Sequence, residues 1–184
     1  MQKPNDYDLS EAKRGGNFNR PQAGAYVMKI LNCKETMSKT ERTMLVLQLD
    51  IATGEHKDNY KKFFDFMKSK NSEAKWPLLH RRCTDGNQTP YFKGDIKAIE
   101  ESNEGFHFNF DESTLKGKLV GAMLAEKEID ASGKTILEIA YLCSVKKATS
   151  GELKPPKVKQ FVGNTSGDGE SYSGPDYGGE PLPF

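Results

Sequence analysis

Several things are scarce in this 184-residue chain, and each scarcity closes a class of function. No apolar run approaches the ~20 residues of a bilayer span, so no membrane-spanning helix is expected. The opening stretch, MQKPNDYDLSEAKRGG, lacks the apolar centre of a secretory signal, and a cytoplasmic location is expected. Cysteine is limited to Cys33, Cys83 and Cys143, an odd number, widely spaced. No pair has metal-ligand or redox-motif spacing, and His56, His80 and His107 do not cluster with them. Reduced and mostly buried thiols are expected, with no metal and no cofactor.

Catalytic signatures are missing as well. Neither GxSxG nor HExxH occurs, the carboxylates are scattered, and Glu100–Glu101 reads as a solvated helix face. Ser132–Thr135 (SGKT) resembles part of a phosphate loop. The glycine that the full pattern requires is replaced by Glu128, and the segment lies between two strand-like runs, so a hairpin turn is expected. No enzyme is predicted.

A further absence organises the rest. From Phe161 to Phe184 there is no Lys or Arg, but there are four acids, Asp168, Glu170, Asp176 and Glu180. The first 160 residues hold 27 basic and 22 acidic side chains, a net charge of +5. A basic body with an acidic tail attracts polyanions through the body alone. Three regions follow: an arm (1–20), one domain (21–160), and a flexible acidic tail (161–184). The Gly/Ser/Asp-rich stretch 163–179 is too poor in apolar residues to offset its ordering entropy.

What is present is mainly β-patterned. AYVMKILNC (25–33) places Tyr26, Met28 and Ile30 on one face, and in MLVLQLDI (44–51) Leu45, Leu47, Leu49 and Ile51 alternate with Met44, Val46, Gln48 and Asp50. NYKKFFDFM (59–67) predicts a third strand, with Tyr60, Phe64 and Phe66 toward the core and Lys61 and Phe63 outward. KWPLLHRRC (75–83) predicts a short helix with Pro77 at its first position, and GDIKAIEES (94–102) a second helix with Asp95 as N-cap. LVGAMLAEKEI and TILEIAYLCSV close the domain as a hairpin through DASGK, with Leu137, Ile139, Tyr141, Cys143 and Val145 on one face. The β-β-β-α-β-β order predicts an all-β fold with minor α, a five-stranded OB barrel. A sandwich would need about seven strands.

Cations interleave with aromatics along this domain. Lys29 and Lys34 lie on or after the first strand, and Lys39 and Arg42 in the loop that follows. Lys61 and Lys62 flank Phe63, the expected stacking residue, and Trp76, assigned equally to core or ligand contact, precedes Arg81 and Arg82. Single strands are bound by such a combination of cationic groove and aromatic faces. In an OB barrel the face of strands 2–3 and the loops joining strands 1–2 and 4–5 carry it.

The basic OB-like body, the Gly/Ser-rich acidic linker and the closing Glu180-Pro181-Leu182-Pro183-Phe184, with Asp176 nearby, resemble bacterial and phage single-stranded DNA-binding proteins. Pro21, Gly24 and Tyr26 correspond to the Pro-x-Gly-x-Tyr lead-in of phage-encoded members, over a layout similar through about residues 18–147. The resemblance implies single-stranded DNA as ligand, coated without strong sequence preference during replication or recombination. It also implies a tail (Asp176, Glu180, Pro181, Leu182, Pro183, Phe184) that recruits replication or recombination proteins. An aromatic ring beside a carboxylate suits an apolar pocket with a basic rim. Self-association into a homo-oligomer stays open. The alternative reading is a β-barrel adaptor that binds protein and not DNA, and a nuclease or recombinase component ranks third.

Overall fold

The computed structural model describes residues 20–161. The arm up to residue 19 and the tail from residue 162, with Asp176 and Glu180–Phe184, lie outside the described residues.

Five strands form one antiparallel sheet: β1 (Gly24–Met37), β2 (Thr43–Ile51), β3 (Leu79–Cys83), β4 (Leu119–Glu128) and β5 (Thr135–Cys143), in the order β3-β2-β1-β4-β5. The outer strands β3 and β5 approach each other and nearly close a barrel. Three helices accompany it: α1 (Asn59–Lys70) between β2 and β3, α2 (Thr89–Glu101) between β3 and β4, and α3 (Val145–Thr149) after β5. Five strands with a helix between the third and fourth give the OB-like barrel expected. Met28, Ile30, Leu47, Leu49, Ile51, Val120, Ala122 and Leu124 fill its interior, and Ile99 and Leu115 pack against them. Burial of each large aliphatic side chain contributes roughly 1.5–3 kcal/mol.

The third strand is not where the pattern placed it. Residues 59–67 are helical, because Tyr60 and Phe64 lie one turn apart on the buried face while Lys61 pairs with Asp65 at i, i+4 (2.7 Å). Phe66, expected in the core, is 54% exposed. The segment read as a helix behind Pro77 supplies β3 instead. Its alternation is real but half polar. Leu78, His80 and Arg82 point inward with Leu49, Leu47 and Leu45, while Arg81 and Cys83 point outward with Val46 and Met44.

Helix α2 begins with Thr89 and Pro90, earlier than expected, and Asp95 is a mid-helix residue rather than its cap. The Asp95 carboxylate accepts from His80 Nε2 (2.8 Å) and Arg82 Nε (2.7 Å), tying α2 to β3 inside the barrel. On β5 the expected single face breaks at a bulge. Ile139 pairs with Leu124 but Tyr141 pairs with Met123, so Tyr141 turns outward and Leu142 enters the core. Val145 belongs to α3. The DASGK turn forms as expected, with Gly133 at φ 77°.

Two further features shape the outer surface. Helix α3 packs on the outside of β4 at Gly121, where a Cβ would lie 2.7 Å from the Ala148 Cβ and 2.7 Å from the Ser144 carbonyl. Beyond α3 the chain returns to β4: Lys159 donates its N–H to the Glu126 carbonyl (3.0 Å) and accepts from Glu128 N–H (2.9 Å), a short parallel bridge.

Candidate nucleic-acid interface

Register decides which side chains share the outer surface. Successive cross-strand rows on β1-β2-β3 are Thr36–Met44–Cys83, Lys34–Val46–Arg81 and Asn32–Gln48–Leu79, and Lys29 pairs with Asp50 further along. Met44, Val46 and Cys83 form a small buried cluster with Leu79 packed against it. Val46 is fully covered, although it points away from the barrel interior. Long cationic side chains stand on either side of it, Lys34 and Arg81, both half-buried. Their aliphatic stems can cover an apolar strand while the charged ends remain near water. The result is an apolar floor with a cation on each flank and amides (Asn32, Gln48) one row away.

The loop from Ser38 to Arg42 closes one end of this surface. It is a tight turn, with Ser38 N–H to Arg42 O at 2.8 Å and Glu41 at φ 57°. Arg42 reaches across to Asp85 after β3. Its Nε donates to Oδ1 at 2.8 Å, and Nη2 binds the same carboxylate oxygen and the Asp85 backbone carbonyl. Lys39, at the loop's tip, is exposed. Lys29 is exposed toward the opposite end, five strand positions from Lys34, roughly 17 Å of extended chain.

The expected site residues therefore divide. Lys29, Lys34 and Arg81 share the outer face, with Lys39 and Arg42 at its border, and Arg42 is engaged with Asp85. Lys61, Lys62 and Phe63 were expected on a third strand, Lys61 and Phe63 on its outer face, and lie on α1 instead. Lys61 is paired with Asp65, Lys62 Nζ donates to the Lys57 carbonyl (3.1 Å), and Phe63 is half-buried. Trp76 belongs to the core: it is buried, its Nε1–H donates to the Leu49 carbonyl at 3.1 Å, and its ring meets Phe64 at 5.2 Å. Arg82 points inward to Asp95, and its guanidinium lies 5.5 Å from the Tyr91 ring.

Alternation in the sequence already set Gln48 off the core face, but Asn32, Thr36 and Leu79 were missed as its outer-face neighbours. Only the pairing register reveals them, since none stands out by type. Among the described residues, no group of three or more His, Cys, Asp or Glu is placed to hold a metal ion, and no helix is long and apolar enough to cross a membrane. All three cysteines are free thiols; Cys33 donates to the Glu112 carbonyl, and burial pushes its pKa up. Residues 20–161 hold 24 Lys and Arg against 19 Asp and Glu, so the described body carries the whole +5. Compared with known proteins, the chain matches no family model and no curated sequence.

Proposed function

We propose that this chain is a single-stranded DNA-binding protein of the phage type, which coats and protects single strands in the host cytoplasm during replication or recombination. The observation that carries the reading is the Lys34–Val46–Arg81 row on the outer face of an OB-like barrel, bordered by the Lys39 loop. Cations there meet phosphates, and half-buried Leu79, one row away, offers apolar contact to base faces. Such contacts exist for every base, so sequence preference is weak. The basic body supports the polyanion, and the resemblance of the tail supports recruitment of replication or recombination proteins through Glu180–Phe184.

Fluorescence anisotropy of labelled oligo-dT and of duplex DNA across a salt series tests the reading. Oligo-dT binds more tightly, and its log affinity falls with log salt by ~0.7 per phosphate neutralised. Equal binding to both, or none to either, overturns the proposal and favours a protein-binding adaptor. Deleting Glu180–Phe184 leaves oligo-dT affinity unchanged or slightly higher and abolishes pull-down of replication proteins.

A further inference from the structure

We infer that α1 carries a second contact point for the single strand, away from the sheet, with Phe66 as its stacking face and Lys62 and Lys70 as its phosphate contacts. The inference rests on the single-stranded DNA reading and extends it to an element that a five-stranded barrel does not need. Phe66 is 54% exposed, whereas Tyr60 is buried and Phe63 and Phe64 are half-buried on the same helix. The apolar face of α1 is thus already used by the core, and Phe66 adds little to it. Spacing supplies the second argument. Lys62, Phe66 and Lys70 stand at i, i+4 and i+8, so they stack along one stripe about 12 Å long with the ring midway. Lys70 Nζ lies 4.4 Å from the Phe66 ring centroid.

Charge supplies the third argument. Within α1 the single acid is Asp65, and its carboxylate is held by Lys61 at 2.7 Å, off this stripe. From Lys57 through Lys75, both included, there are six lysines against Asp58, Asp65 and Glu73. A cation–aromatic–cation order repeats the phosphate–base–phosphate order of a strand. A lipid surface would ask for a broad apolar face. Here four lysines surround the two exposed apolar side chains, Phe66 and Met67.

A strand that reaches α1 as well as the sheet must be longer than one that fills the sheet alone. The test compares the full chain with Phe66→Ala, Lys62→Gln/Lys70→Gln and Phe66→Trp. The probes are an oligo-dT of about 8 nucleotides, within the range one OB barrel occupies, and one about three times longer. Phe66→Ala lowers affinity for the longer strand by about five- to a hundredfold and hardly alters the short one. The lysine pair lowers the salt slope by roughly 1.4. The exposed indole of Phe66→Trp is quenched by the long strand, above the constant background of buried Trp76. Unchanged long-strand binding in the first two variants, or no quenching in the third, overturns the inference. A blue shift with phosphatidylserine vesicles in place of quenching by DNA also overturns it. The two readings fail separately. If Lys34→Glu/Arg81→Glu abolishes binding while the Phe66 variants bind as wild type, only the α1 contact falls; if wild type binds no strand, both fall.

Discussion

The carboxylate of Asp50, on β2, accepts the backbone N–H of Lys61, in the first turn of α1, at 2.9 Å. The Tyr60 N–H reaches the same carboxylate at 3.0 Å. First-turn amides have no partner within their own helix. Asp58, at the local cap position, makes no capping bond, so a strand residue eight positions upstream of it caps α1. Burial, the largest influence, raises the Asp50 carboxyl above its ordinary range, and the three backbone donors pull the other way. Asp50→Ala should cost about 1–2 kcal/mol and reduce helix content, and Asp50→Asn, which keeps an acceptor, should cost less. Urea unfolding followed by far-ultraviolet circular dichroism checks both. Equal losses in the two variants would contradict the capping role.

The inward and outward arginines of β3 should behave differently. Lys34→Glu with Arg81→Glu lowers oligo-dT affinity by at least about tenfold and reduces the salt slope by roughly 1.4. Arg82→Ala, which removes a partner of buried Asp95, lowers the unfolding midpoint instead. Arg42→Ala leaves affinity nearly unchanged, because that side chain is held by Asp85. A titration series run beside thermal melts separates the three cases.

Asp95 makes stability depend on pH. Its burial alone would raise the carboxyl, but hydrogen bonds and charge from His80 and Arg82 outweigh that and hold it below the usual carboxylate range. A carboxyl lowered on folding adds stability that is fully present above its unfolded pKa, about 3.9, and is lost as pH falls through the folded value. Asp95→Asn should therefore be less stable at neutral pH by about 3 kcal/mol. Its stability should also vary less with pH below about 4. Denaturant midpoints measured from neutral to strongly acid pH test the sign. A variant that loses stability most at the acid end would refute it.

Gly121 allows α3 to sit on β4. A side chain there meets the Ser144 carbonyl and the Ala148 Cβ, both 2.7 Å from an added Cβ, so Gly121→Ala should cost about 1–3 kcal/mol. Adding Ala148→Gly relieves one of three clashes, since the Ser144 carbonyl and the Cys143 Sγ (2.9 Å) remain, and should recover only part of the loss. Melting temperatures of the single and double variants decide the point.

The parts of this fold that could be read were those with local signals. Leu45, Leu47, Leu49 and Ile51 keep strict alternation and face the core as expected, and the β4–β5 hairpin follows from its turn. The third strand escaped because its inward positions are His80 and Arg82, whose partner Asp95 is supplied by α2. Without that partner in view, the alternation does not look hydrophobic. Helix α1 was mistaken for a strand because Tyr60, Phe64 and Phe66 also fit a period of two, and its cap lies on another element. Of the candidate site, Lys29, Lys34 and Arg81 were found by charge. Their grouping around Val46 depends on pairing register, which one-dimensional spacing does not carry.

The parallel bridge at Lys159 fixes the doorway through which the chain leaves the barrel. Main-chain groups make it, and the Lys159 ammonium lies 4.0 Å from the Glu138 carboxylate on β5, so the exit stays beside the β4–β5 hairpin. Phe161 N–H, bound to the Glu128 carboxylate at 3.0 Å, adds a second latch. Phe161, the last described residue, is therefore held at the end of β4, where β5 begins its return. The loop carrying Lys39 lies at the far end of β1, because β4 runs antiparallel to that strand. One end of the barrel thus anchors the outgoing chain, and the other holds the loop that borders the cationic row.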